Sequence, residues 1–252
     1  MLRRNGAIYE EVTVANKIIV GDRITFRVED ANLSDGTYTL GTTDAVVSPV
    51  AGLPAQTWYS YKSGNWNDPD VWTLDGSVSP LLVNPSNTTP GASDNVVITT
   101  GRTVTANIGN ISLNSLEVVG RLDVAQTSGH NFNEISGNGR IRIAGSGGFG
   151  NFPTGDATAF ADPTIGGTLE MYGSSSFTIT EARSFKDIII EMDAVANTVT
   201  LRNDLTVNGN LSLRSGRLQI NDNSVTTSLN INVQGEYLID VGAEQTVGTA
   251  DA

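Results

Sequence analysis

Apolar and polar residues alternate in short runs along most of the chain, and many of these runs restart after a glycine. Gly120-Arg121-Leu122-Asp123-Val124 is one such run. Gly139-Arg140-Ile141-Arg142-Ile143, Gly209-Asn210-Leu211-Ser212-Leu213, Gly216-Arg217-Leu218-Gln219-Ile220 and Gly235-Glu236-Tyr237-Leu238-Ile239 repeat it. A period of two is the strand pattern, and it turns Leu116 and Val118, Leu122 and Val124, Ile141 and Ile143, and Leu218 and Ile220 to one face. Gly120 to Gly139 and Gly216 to Gly235 are each 19 residues, and Gly167 to Gly209 is 42, or two turns. A repeat of about 20 residues holding two or three short strands predicts stacked rungs that bury their apolar rows only against one another. The expected fold is all-β: a right-handed parallel β-helix of about seven rungs with an N-terminal cap, preceded by a small antiparallel β segment.

The pattern changes along the chain. Residues 1–56 lack the glycine spacing. Glu11-Val12-Thr13-Val14, Ile18-Ile19-Val20, Arg23 to Val28 and Thr37-Tyr38-Thr39-Leu40 read there as antiparallel strands, the end of a β-sandwich. Ser48 to Pro54 is the expected linker. Residues 57–93 hold an aromatic block, with Trp58, Trp66 and Trp72, and then a Pro/Asn/Ser/Thr-rich loop. Residues 94–252 are the expected β-helix. Between Gly139 and Gly167 the interval is 28 residues, too long for one rung, so Ala144 to Pro163 should form a protruding loop. Ser184-Phe185-Lys186-Asp187-Ile188-Ile189-Ile190 breaks the alternation and leaves the register there unfixed. Met1-Leu2-Arg3-Arg4 lacks a following apolar stretch, and the last strand lacks a polar closing element. Both features are expected of a processed or partial chain.

Composition narrows the partners. A net charge of −12 with three lysines argues against nucleic acid and anionic lipid. The chain has no cysteine and no apolar run long enough to span a membrane.

Several residues are candidates for chemistry. Trp66 and Trp72 flank Asp68-Pro69 either as a sugar platform or, with Trp58, as a hydrophobic cap over the first rung; the need of a solenoid for a cap favours the second. Asn67, Asp68, Asp70 and Asp94 carry the oxygens that a structural calcium needs, although turn residues have the same composition. No other cofactor is expected. Arg140 and Arg142 share one face near the long loop; ordinary outward-facing strand charges are the favoured reading, and binding a carboxylated sugar is the other. Phe149, Phe152 and Phe160 in the long loop are the better candidate ligand contacts, although folding back over the ladder is the favoured reading. His130, the single histidine, follows a turn and is expected to be exposed.

Ser63-Gly64-Asn65-Trp66, then Asp68-Pro69 with Trp72, then Asp94, Val96, Ile98, Gly101 and Val104, then Leu113, Leu116, Val118, Gly120 and Leu122 form a pattern. It resembles the opening of G8-like β-helical regions in large secreted surface proteins of Bacteroidetes bacteria. The resemblance covers most of residues 57–252. It implies a noncatalytic adhesin or stalk at the cell surface, exported by a type IX secretion system, with glycan binding or gliding motility as its role. Its implied partners are a surface glycan, a host or substrate surface, or outer-membrane components of that secretion system. A polysaccharide lyase or glycoside hydrolase of β-helix fold is the alternative. A substrate caught with the secretion machinery is a further one.

Overall fold

The computed structural model describes residues 55–144, 152–221 and 229–247, and before them the backbone of five short strands. The chain divides into two compact units, Met1–Pro54 with Pro85–Asn87, and Ala55–Asn84 with Thr88–Ala252. In the first unit, Leu2–Asn5 pairs antiparallel with Ile8–Glu11 and with Tyr38–Thr39. Asn16–Val20 and Arg23–Arg27 pair as a second antiparallel couple across Gly21-Asp22, a dipeptide suited to a turn. The antiparallel arrangement is as the sequence predicts. Leu2–Asn5 is a strand that the sequence hides, because Leu2-Arg3-Arg4-Asn5 holds one apolar residue among polar ones. The expected strand at Val12 to Val14 and the linker at Ser48 to Pro54 lie outside the described residues.

The second unit is a parallel β-solenoid of about six turns. One sheet of eight parallel strands, sheet I, runs its length: Gly64–Asn65, Thr103–Thr105, Arg121–Asp123, Arg140–Ala144, Thr168–Gly173, Asp187–Met192, Leu211–Ser215 and Tyr237–Ile239. Sheet II supplies the other wall of the early rungs, with Thr57–Ser60, Asn95–Ile98, Ser112–Val118, Asn131–Ser136 and Thr154–Asp156. From Phe177 onward two sheets replace it. Sheet III holds Phe177–Ile179, Thr198–Leu201, Arg217–Ile220 and Glu244–Val247, and sheet IV holds Arg183–Phe185, Leu205–Val207 and Ile231–Val233. The rung is 19 residues from Asp123 to Arg142, but 23 from Glu191 to Arg214 and 26 from Asn210 to Glu236. Longer late rungs explain why about six turns fit where constant spacing predicts about seven.

The core follows directly from the alternation. Val104, Leu122, Ile141, Leu169, Ile188 and Leu211 succeed one another in register along sheet I, and each is fully buried. Burying each such side chain stabilises the stack by about 1.5–3 kcal/mol, before the entropy of ordering it. The glycines that open the runs lie at corners where one rung rests on the next. A Cβ at Gly120 would run into the carbonyl oxygens of Thr99 and Arg102, and one at Gly139 into those of Val118 and Gly120. Glycine is needed there because backbone meets backbone.

Two sequence ambiguities resolve. The irregular stretch at Ser184 to Ile190 is a corner: Phe185 ends a strand of sheet IV, Lys186 turns, and Asp187 opens a strand of sheet I. Phe185 and Ile188 both point inward, so the phase resets at Lys186. Ile189 faces outward between Glu170 and Ser212, yet is only 7% exposed. The long interval from Arg142 to Glu170, 28 residues, is not a free loop throughout. Thr154–Asp156 joins sheet II, and the chain then turns back over the core.

Candidate functional site

On the outer face of sheet I, rung spacing places five polar side chains together. Asp123 pairs in register with Arg142, Arg142 with Glu170, and Arg140 lies one pleat away on the same face. Glu170 accepts from Arg140 Nη1 and from Arg142 Nε, each at 2.6 Å. Arg142 Nη1 donates to Asp123 Oδ2 at 3.1 Å, and the Tyr172 hydroxyl donates to Asp123 Oδ1 at 2.7 Å. The Arg142 guanidinium also lies 3.9 Å from the centre of the Tyr172 ring, a cation–π contact. Glu170 is 3% exposed, a buried carboxylate held by two cations. Burial works against the charge of Arg142, but Glu170, Asp123 and Tyr172 outweigh it and raise its pKa. Burial and the bond to Asp123 push the Tyr172 phenol well above its ordinary value.

This geometry corrects the expectation for Arg142. Its Nε and Nη1 are engaged by the protein's own carboxylates, so it is not poised to bind an incoming sugar acid. Arg140 has Nη1 on Glu170 and keeps other N–H groups.

The structure places the three tryptophans in the core. Trp58, Trp66 and Trp72 are at most 2% exposed. Trp72–Thr73 runs antiparallel beside Thr57–Ser60, so the first edge of sheet II is covered. Trp72 Nε1 donates to Trp66 O at 2.8 Å, and Trp58 Nε1 to Asp94 Oδ2 at 3.0 Å. The Trp66 and Trp72 rings meet edge to face at 4.7 Å, and Trp66 stacks on Phe132. Indoles spent this way form a cap and offer no platform to a sugar.

The calcium set is not brought together. Asp94 accepts from the backbone N–H of Gln56 and Gly91 and from Trp58. Asp68 receives the N–H of Asp70 and, with Asp70, faces Lys62 at 3.6 and 3.9 Å. Asn67 bonds Asn107 in the next rung. Among the described residues no three acids converge as a metal site. The grouping fails because Asp94 serves as a turn and cap acceptor on its own.

Two aromatics of the long loop fold back over the ladder, the favoured of their two readings, and are not ligand contacts. Phe152 is 4% exposed and Phe160 is fully buried. Phe152 meets Phe185 edge to face at 5.2 Å, and Phe160 packs on the corner at Gly167. Both rings have folded back because exposed apolar surface costs free energy that the core removes. Phe149 lies outside the described residues. Beside these rings the returning chain and sheet IV enclose a cavity of about 540 Å³, lined by Asp156, Thr158, Asp162, Arg183, Ser184 and Asn208 among others. Asp156 and Asp162 are held below the usual carboxylate range, Asp156 by the Thr158 hydroxyl and N–H and Asp162 by the N–H groups of Ile165 and Thr164. Their oxygens are engaged in local turns.

His130 is 2% exposed, against the expectation that its turn would leave it in water. Its ring stacks on Phe132, Nδ1 accepts from the Ile111 N–H at 3.3 Å, and Nε2 lies 3.0 Å from Thr127 Oγ1. That network fits a neutral ring protonated on Nε2, and burial lowers its pKa.

Sequence reasoning overlooked a second charged feature. Arg102, Arg121 and Arg140 line a groove of about 410 Å³ at the corner between sheets I and II. The Gly-Arg dipeptide at Gly101-Arg102, Gly120-Arg121 and Gly139-Arg140 recurs once per rung and was the signal available.

Compared with known protein families, with curated proteins and with solved structures, the chain matches none.

Proposed function

We propose that residues 57–252 are a noncatalytic solenoid region of a large exported protein, acting outside the cell as a stalk or adhesive surface. The observation that carries this reading is the closed network of Asp123, Arg140, Arg142, Glu170 and Tyr172. Asp123, Arg142, Glu170 and Tyr172 are used there to hold successive rungs together rather than to meet a substrate. The likeness of Ser63 to Leu122 to secreted surface proteins supports the location and a type IX export route. A glycan on a neighbouring cell or substrate is the partner that fits best. Components of the secretion apparatus are the partner during export.

A polysaccharide lyase is the second reading, favoured by the same convergence of two arginines, two carboxylates and a tyrosine. A general base works best with a pKa near the operating pH. Tyr172 and Arg142 are both moved away from it, and His130 is buried and bonded. The deciding experiment incubates the 252-residue chain with a panel of acidic and neutral polysaccharides and follows polymer length and unsaturated products. Binding on a glycan array without shortening is the expected result. Turnover abolished by Arg142→Gln or Tyr172→Phe would establish the enzyme instead.

A further inference from the structure

We infer that the corner groove of Arg102, Arg121 and Arg140 is a binding site for a carboxylate-bearing polysaccharide lying along the rungs. The inference rests on the adhesive reading above and names the ligand class of that surface. The chain carries −12 overall, yet no acidic residue lines this groove. Arg121 and Arg140 are register partners on adjacent strands, and like charges placed so repel. Glu170 offsets Arg140. Among the described residues no carboxylate pairs with Arg121 or Arg102 within 4.0 Å. Two arginines without a paired carboxylate, beside a third that shares Glu170, form a positive cluster that an anionic ligand would stabilise.

The shape and the other lining groups narrow that ligand. Arg121 and Arg140 sit on adjacent strands about 4.8 Å apart, a spacing on the scale of one sugar unit, and Arg102 stands beside them, one position before the register partner of Arg121. A guanidinium receives a carboxylate through two parallel N–H donors. Thr103, Asn138 and Thr168 stand beside the arginines and can bond sugar hydroxyls. Glycines at the corners keep the floor at backbone level, which lets an extended polymer lie close. Nucleic acid would demand a far broader basic surface than three arginines on an acidic chain. The overall negative charge opposes any polyanion at long range, so binding here is short-ranged and sensitive to salt.

The test is calorimetric titration of the chain with polygalacturonate oligomers at low ionic strength. Their fully methyl-esterified form and dextran sulfate serve as comparison ligands. The free acid should bind and the ester should not. Arg121→Gln should weaken binding about tenfold or more, Arg121→Lys should retain part of it, and Arg214→Gln, at a distant pair with Glu191, should leave it unchanged. Circular dichroism and thermal melting of each variant separate a lost site from a lost fold. If Arg121→Gln does not fold, Arg102→Glu at the exposed turn carries the same prediction. Four results would each overturn the assignment: no binding at low salt, equal binding of the ester, binding of dextran sulfate alone, or a folded Arg121 variant that binds like the parent. Shortening of the polymer would instead overturn the noncatalytic reading and leave the groove assignment standing.

Discussion

Residues 95–144 and residues 168–247 build the same ladder with different cross-sections. The earlier stretch uses two sheets per rung and tight corners, with 19 residues from Asp123 to Arg142. The later stretch uses three sheets, and its rung grows to 27 residues between Arg217 and Glu244. Sheet I passes unbroken through both. The rod is therefore defined by one wall, and the number of corners on the opposite side is free to change. Where sheet II ends and sheets III and IV begin, the walls cannot meet by repetition alone. Phe152 and Phe160 from the returning segment are buried there, and Asn208 Nδ2 bonds Ala161 O to tie that segment to a later rung.

The largest expected effect strikes that junction. Phe160→Ala removes a fully buried ring and should cost about 3–5 kcal/mol. In a stack whose units contact mainly their neighbours, a lesion at the join should also uncouple the two stretches. Urea unfolding followed by both fluorescence and far-UV dichroism should then split into two transitions, because the three tryptophans all lie before the two-sheet stretch, with the Trp58 strand paired to it and Trp66 stacked on its Phe132. A single shifted transition would show instead that the stretches fold as one unit without the plug.

Glu170 makes the same comparison from outside. It stands on the first strand of the three-sheet stretch and accepts from two arginines of the two-sheet stretch. Glu170→Ala leaves Arg140 and Arg142 facing each other without their shared anion. Both guanidiniums are partly in water, at 32% and 23% side-chain exposure, which trims the loss to about 3 kcal/mol. Adding Arg142→Met should recover part of it, and a denaturation cycle of the single and double variants reads the coupling directly.

Corner glycines sharpen the contrast. At Gly139 a new methyl would strike carbonyl oxygens of the rung below, and neither can move without breaking the ladder. Gly139→Ala should cost roughly 2 kcal/mol. At Gly209, in the three-sheet stretch, the nearest obstacle is the Asp187 carboxylate, whose turning aside costs only the bond it accepts from the Asn210 N–H, with the Lys186 carbonyl oxygen farther off at 3.0 Å. Gly209→Ala should cost less than Gly139→Ala, and equal losses by thermal melting would mean that both corners are equally rigid.

Much of this was legible in the sequence because period-two alternation and a glycine per rung are local signals with one physical cause each. The in-register rows from Val104 to Leu211 follow from that alternation, and the tryptophan cap from the need to cover an open edge. The change from two sheets to three was not legible. It depends on the added corner between Ile179 and Arg183, and corner residues carry no pattern of their own. Phe152 and Phe160 read as loop aromatics because a returning chain and a protruding one have the same composition. His130 was misjudged for a related reason. A turn before it, Ser128-Gly129, marks a corner in a solenoid, and the residue after a corner can point inward as easily as outward.

That histidine gives the smallest expected effect, and it belongs to the two-sheet stretch alone. Burial lowers its pKa from the ordinary 6.5. As pH falls through that value, the unfolded chain takes up a proton on His130 while the folded chain does not until lower pH. The unfolded state then holds more protons, so stability falls with acidification across this window and is restored above it. His130→Gln removes the titration and keeps an oxygen able to accept from the Ile111 N–H. The urea midpoint of the parent should drop between about pH 7.5 and about pH 5.5, before most carboxylates titrate, and that of the variant should drop less. If the two stretches unfold separately in Phe160→Ala, only the transition reported by tryptophan should carry this dependence. A drop confined to the other transition would place the proton-sensitive group in the three-sheet stretch, where no histidine exists, and would overturn the assignment to His130.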